Sequence, residues 1–173
     1  MKDYTKKSIK EFLIESNAVE CVYSKEALED SLKAWDYAFK NRDNFNVNYV
    51  LEIHRLLMKR LYPECAGKFR DCSVWIGGEK KKNYGPIVLE QMINNWCEDF
   101  KEQLKYSYGI DDSQKDLMCE NNHINFENIH PYIDGNGRTG RLLWNIQRYI
   151  LGLPIKIIHE GDEQYDYYQL FRK

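Results

Sequence analysis

The sequence has no apolar run of the roughly 18–20 residues that a membrane helix needs, so no helical membrane span is expected. Charge of one sign is also missing. Lysine and arginine number 25 against 27 acidic residues, a net −2. No basic stripe is present, which argues against binding a nucleic-acid backbone. Paired cysteines are absent: Cys21, Cys65, Cys72, Cys97 and Cys119 are scattered, odd in number and never form CxxC. That pattern excludes a disulfide framework or a thiolate zinc site and points to reduced thiols in the cytoplasm. The first residues, "MKDYTKKSIKEFL", lack an apolar core flanked by small residues, so no signal peptide is expected. Internal repeats, low-complexity tracts and long linkers are absent too.

What is present reads as one domain. The 173 residues are 43% apolar and 30% charged, enough to bury a core under a solvated surface. Helical periodicity dominates. Leu28, Leu32, Trp35 and Phe39 recur at three- and four-residue steps behind Ser24, a capping residue. Val47, Val50, Leu51, His54, Leu57, Met58 and Leu61 form a second stripe behind Asn46. Leu89, Ile93, Trp96 and Phe100 form a third, with Pro86 in a first turn that tolerates it. A fourth helix is expected from about Gln114 to Ile129. A fifth, with Leu142, Leu143, Ile146, Ile150 and Leu151 on its apolar face, ends at Gly152 and Pro154. Ile9, Phe12 and Leu13 suggest an N-terminal helix, and "DEQYDYYQLFRK" a final polar-faced one.

One segment breaks the pattern. "CSVWIGGEKKKNYG" carries a β-like run, Ser73 to Ile76, then Gly77, Gly78 and three lysines. It reads as a small hairpin or flap whose lysines blunt a solvated edge.

The chemistry concentrates in "HPYIDGNGRTGR", His130 to Arg141. Gly135 and Gly137 flank Asn136 and let the backbone turn sharply close to a ligand. A helix begins directly after, and its free N–H groups and positive dipole end attract anions. Arg138 and Arg141, three apart, share one face of the first turn. Two guanidinium groups beside such a nest suit a polyphosphate. Asp134 has the wrong sign to touch phosphate and makes sense with Mg²⁺ between them. His130, ending the preceding helix, is placed as a general base for an incoming hydroxyl. Each residue alone has a plainer role, as a structural histidine, a tight turn or a surface arginine; the combination is specific.

The stretch resembles the signature of the Fic family, HPFx(D/E)GNGRxxR. It matches at His130, Pro131, Asp134, Gly135, Asn136, Gly137, Arg138 and Arg141, with Tyr132 where Phe is usual. The family's ring packs inward, so a Tyr132 hydroxyl would need a partner. "HINFENIHPY" resembles the helix leading into Fic loops, and "GKFRDCSVWIGG" the segment entering the family's flap. The resemblance implies an all-α fold, a compact Fic-type helical bundle with one short β-hairpin flap over the site. It also implies one domain over 1–173, with 1–23 as an inhibitory helix region and about 73–85 as the flap.

It implies transfer of AMP from ATP, the co-substrate, to a protein hydroxyl with Mg²⁺. His130 would deprotonate the hydroxyl and Asp134 would hold Mg²⁺. Gly135, Asn136 and Gly137 would cradle the α- and β-phosphates, with Arg138 holding phosphate charge and Arg141 the γ-phosphate. Doc-like relatives, which phosphorylate a target, carry Lys where Gly137 stands, so nucleotidyl transfer is favoured. Val74, Trp75 and Ile76 would align the target as an added strand; packing inward is the even alternative. Partners implied are ATP and a hydroxyl-bearing Ser, Thr or Tyr target, the chain itself and a homo-oligomer remaining open, with neither nucleic acid nor membrane.

Given that signature, "SNAVEC" resembles the family's inhibitory motif, (S/T)xxxE(G/N), through Ser16 and Glu20. Glu20 would pair with Arg141 and block the γ-phosphate position. By itself the pair is an ordinary helical face. Cys21 stands where Gly or Asn would suit positive φ. The same glutamate can orient a water for removing AMP. Alternatives in view are therefore a deAMPylase, a transferase with another phosphate-linked donor, and a silent nucleotide-binding regulator. His123, Phe126 and His54 read as structural, and Trp144 and Gln147 as candidates to line the adenine end of the cleft.

Overall fold

Local signals set the helices where the sequence places them. In the computed structural model, which describes residues 4–76 and 79–171, α1 spans Lys6–Ala18 behind a Thr5–Ser8 capping box. Helix α2 (Lys25–Lys40) starts where Ser24 Oγ accepts from Ala27 N at 3.2 Å. Helix α3 (Val47–Met58) starts where Asn46 Oδ1 accepts from Tyr49 N at 3.0 Å. It ends one turn before the stripe does: Leu61 lies in the following turn, its N–H on Met58 O. Strands β1 (Val74–Ile76) and β2 (Glu79–Lys81) pair antiparallel, Val74 opposite Lys81 and Trp75 opposite Lys80. Helix α4 (Pro86–Tyr106) carries Pro86 at its first position and runs into a short 3₁₀ turn, Ser107–Gly109. Helix α5 (Asp112–Ile129) begins two residues earlier than expected, because Asp111 and Gln114 cap each other's backbone N–H groups. Helices α6 (Asn136–Ile150) and α7 (Asp162–Gln169) complete the described chain.

Helix α6 is the axis of the molecule. Every residue from Arg138 to Arg148 is buried, although the sequence shows an apolar stripe on one face only. Helices α1, α2, α3 and α5 all pack on it, so its polar side is covered as well. Gly140 permits the closest approach, since a β-carbon there would overlap Glu127 Oε1 and come within 3.0 Å of Phe126 Cδ1 on α5. Aromatic rings fill the opposite layer, Phe45 meeting Tyr49, Trp96 and Phe100. The all-helical bundle with one hairpin, read from the sequence, is the architecture observed. Gly77 and Gly78 lie outside the described residues, as does the side chain of Ile76.

Candidate active site

The stretch from His130 to Arg141 is a braced loop between two helices. Helix α5 ends at His130 in the left-handed region, φ +48°. Helix α6 starts at Gly135, φ +77°, where a β-carbon would also press into Met58 Sδ at 2.6 Å. Between them, Asn136 uses both ends of its amide on Tyr132. Its Oδ1 accepts from Tyr132 N and its Nδ2 donates to Tyr132 O, each at 2.9 Å. That side chain is therefore a brace, and only its backbone faces the anion nest. The Tyr132 ring is buried and stacks on His54, centroids 3.6 Å apart. Its hydroxyl has no hydrogen-bond partner among the described residues.

His54, expected as a hydrogen-bonded core histidine, is one. Gly67 N donates to its Nδ1 at 2.9 Å, so Nε2 carries the proton and donates to Asp134 O at 2.9 Å. Arg70 is the brace that the sequence did not disclose. It is 1% exposed. Its Nε donates to His130 O at 2.7 Å, and its NH1 donates to Cys72 O at 2.7 Å and Lys82 O at 3.1 Å. One guanidinium thus ties the loop after α5 to both legs of the hairpin. The hint was its place in "GKFRDC", between a core aromatic and the hairpin.

His130 Nδ1 lies 3.3 Å from Glu127 O. A carbonyl only accepts, so Nδ1 bears the proton and Nε2 of the neutral ring keeps a lone pair. Burial, then the backbone contact to Glu127 and the charges of Arg70 and Lys81, set its pKa, lowered to about 4. The imidazole is unprotonated at neutral pH. Lys81, read in sequence as part of a solvated edge, is half-buried and within electrostatic reach of His130; Lys80 and Lys82 are exposed.

The first backbone bond of α6 runs from Thr139 N to Gly135 O at 3.0 Å. The N–H groups of Asn136, Gly137 and Arg138 precede it and form the orphan donors of a helix start. Arg138 is 4% exposed, with its Nε unpartnered among the described residues and its NH2 3.9 Å from Asp134 Oδ1. A buried cation with an idle donor beside free amides is a site suited to an anion. Asp134 is half-exposed, its Oδ1 accepting from Gly135 N at 2.6 Å.

Arg141 is already engaged. It is 2% exposed. Its NH2 donates to Glu20 Oε1 and to Ser16 O, both at 2.8 Å, and its Nε donates to Ser16 Oγ at 3.0 Å. Ser16 and Glu20 thus converge on the second signature arginine across 125 and 121 residues of chain. Cys21 adopts φ +56°, and Val22 N closes the helix end on Asn17 O at 3.0 Å. The left-handed turn forms even without glycine or asparagine.

Elsewhere the structure separates the expected residues. Trp75 is 68% exposed and does not pack inward, while Val74 is partly buried. Trp144 and Gln147 are both buried, Trp144 stacking on His123 at 4.5 Å, and Trp144 lines a cavity together with Ile155, Ile158 and Tyr167. Two further groups went unnoticed in the sequence. Glu127, one turn before His130, has a buried Oε1 with no hydrogen-bond partner among the described residues, and burial pushes its carboxyl up to about 8. Tyr167, in the tail read only as a polar helix, is buried against Arg141.

Comparison with known proteins points one way. A family model described as the Fic/DOC family matches residues 44–147. The chain is 29% identical over 147 residues to a protein adenylyltransferase Fic of Aedes aegypti, covering 83% of this chain and 28% of that one. It is 34% identical over 110 residues to the protein of the same name in Drosophila willistoni, covering 63% and 20%. Among solved structures, a Fic-domain-containing signalling protein from Bacteroides thetaiotaomicron superposes with a TM-score of 0.74. That match has 20% identity and spans 95% of this chain and 70% of the other, a likeness of fold. The chain spans less than a third of the length of these curated relatives.

Proposed function

This chain belongs to the Fic/DOC family, and from that premise we propose that it is a protein adenylyltransferase that moves AMP from ATP to a side-chain hydroxyl of a target protein. The observation that carries the reading is the neutral, base-ready His130 beside an anion nest with two buried arginines. His130 Nε2 takes the proton of the target hydroxyl. The freed oxygen forms a bond to the α-phosphorus as the bond to the β-phosphate oxygen breaks, and pyrophosphate leaves in line. The backbone N–H groups at Asn136, Gly137 and Arg138, with the Arg138 guanidinium, hold the α- and β-phosphates. Positioning and charge stabilisation do most of the work in such a transfer.

The donor set fits Mg²⁺ shared with substrate. Asp134 is a half-exposed carboxylate at the nest, and no group of three or more potential ligands occurs among the described residues, as suits an ion held largely by phosphates and water. Asp134 would hold it, and when bound it would offset the phosphate charge. Val74 and Trp75 on β1 align the target segment, which the outward Trp75 supports. The scattered, unpaired cysteines favour the cytoplasm.

We read the Glu20–Arg141 pair as autoinhibition. Arg141 is the γ-phosphate ligand, and Glu20 occupies its NH2. Transfer of label from α-labelled ATP with Mg²⁺, onto the chain itself and onto lysate proteins, tests both parts. Glu20→Gly is expected to label about tenfold or more above wild type, since each 1.4 kcal/mol released is a factor of ten. His130→Ala in that background is expected to lose about a hundredfold or more. Equal labelling by wild type and Glu20→Gly would remove the inhibition. ATP binding with no labelling by any variant would remove the transferase.

A further inference from the structure

Arg141 has a second holder that belongs to neither sequence motif. Tyr167 of α7 lies under the guanidinium, its ring centroid 5.6 Å from Arg141 Cζ. The Tyr167 hydroxyl stands 3.5 Å from Arg141 NH1 and 2.8 Å from His123 Nε2 on α5. Burial keeps His123 neutral, its pKa lowered to about 3. Arginine only donates, so the tyrosine oxygen accepts from NH1 while the hydroxyl also bonds His123 Nε2. A chain of hydrogen bonds therefore runs from α5 through α7 to Arg141 on α6, and on to Glu20 beyond α1.

The contacts differ in kind. Ser16 and Glu20 reach Arg141 from the N-terminal segment, the part that must withdraw if a phosphate is to take their place. Tyr167 approaches through NH1 and the ring face, and His123 fixes it from a helix outside that segment. The tyrosine contact can persist when Glu20 leaves. The ring supplies cation–π attraction in a dry setting, and the hydroxyl defines the rotation of the guanidinium about its Nε–Cζ bond.

We propose that Tyr167 is a positioning residue for Arg141, fixing its guanidinium for Glu20 in the closed state and for the terminal phosphate of ATP in the open one. The second half of this statement rests on the adenylyltransferase reading; the first does not. Tyr167 touches no reacting atom and acts through Arg141 alone.

Two measurements on Tyr167→Phe, which keeps the ring, separate these dependencies. The first uses nitrogen NMR of the arginine side chain in the otherwise unaltered protein. Loss of the hydroxyl is expected to speed rotation of the Arg141 terminal NH2 groups, with the fold retained by circular dichroism. The second compares ATP and ADP affinity in Glu20→Gly with and without Tyr167→Phe. ATP binding is expected to weaken about fivefold, the scale of one long hydrogen bond to a charged group, while ADP binding, which lacks the third phosphate, stays the same. Unchanged rotation and unchanged ATP affinity overturn the proposal. So does equal weakening of ATP and ADP, which marks Tyr167 as a general packing residue. If rotation speeds up but Glu20→Gly binds no ATP, the positioning role stands and the adenylyltransferase reading falls instead.

Discussion

Glu20 Oε1 lies 2.3 Å from the point where a β-carbon on Gly137 would stand. The Glu20 carboxylate therefore rests on the bare backbone of the turn that opens α6, and a side chain at position 137 would also come within 2.8 Å of Arg141 NH1. This close approach, as well as the nest, explains why glycine is needed there.

Gly137→Ala is expected to push Glu20 off Arg141 without removing it. Alanine gains up to about 1 kcal/mol over glycine inside a helix, but the displaced pair leaves a buried guanidinium less well held. The two effects separate in a double-mutant cycle by urea unfolding. With Glu20→Gly the obstacle is gone, so coupling between positions 20 and 137 should reach about 1 kcal/mol. Additivity within about 0.3 kcal/mol would mean that Glu20 does not sit on Gly137 in solution.

Tyr132 buries a hydroxyl with no partner among the described residues. Its ring is already placed by stacking on His54 and Phe69. Tyr132→Phe removes the stranded oxygen and keeps the stack, so the variant is expected to be about 1 kcal/mol more stable, with its midpoint in urea raised. A destabilised variant would show that a partner for the hydroxyl exists.

Stability should peak near the unperturbed histidine pKa of about 6.5. The fold keeps His54 and His130 neutral down to about 4 and His123 down to about 3, mainly by burial. Below the unperturbed value the unfolded chain binds protons that the folded chain refuses, so stability rises with pH by about 1.4 kcal/mol per unit for each histidine until the unfolded rings lose their protons. Glu127 acts in the opposite sense. Burial lifts its carboxyl to about 8, so above the ordinary carboxylate range the folded state holds a proton that the unfolded state has lost. Stability then falls by the same increment per unit until Glu127 ionises. Urea unfolding across this range measures both limbs, and Glu127→Gln should flatten the alkaline one. An alkaline limb equally steep in Glu127→Gln would clear the glutamate of that role.

The sequence by itself determined the parts whose causes are local. Ser24, Asn46 and Pro86 begin the helices that they were expected to begin, because a cap answers only to the turn that follows it. The grouping of His130 to Arg141 was legible for the same reason: histidine, carboxylate, glycine turn and arginines lie within one loop and the start of one helix. Glu20 was legible only through the family resemblance, since 121 residues separate it from Arg141. Tertiary structure decided the rest. Arg70 reaches His130 O across 60 residues, His54 reaches Asp134 O across 80, and Tyr167 meets Arg141 from a helix that looked merely polar. It also buried Trp144 and Gln147, which the sequence offered as lining for a ligand cleft, with Trp144 stacked on His123. An amphipathic pattern records that a face is buried but not what buries it. A hydrogen bond between distant segments exists only once packing has set their separation to a few tenths of an ångström.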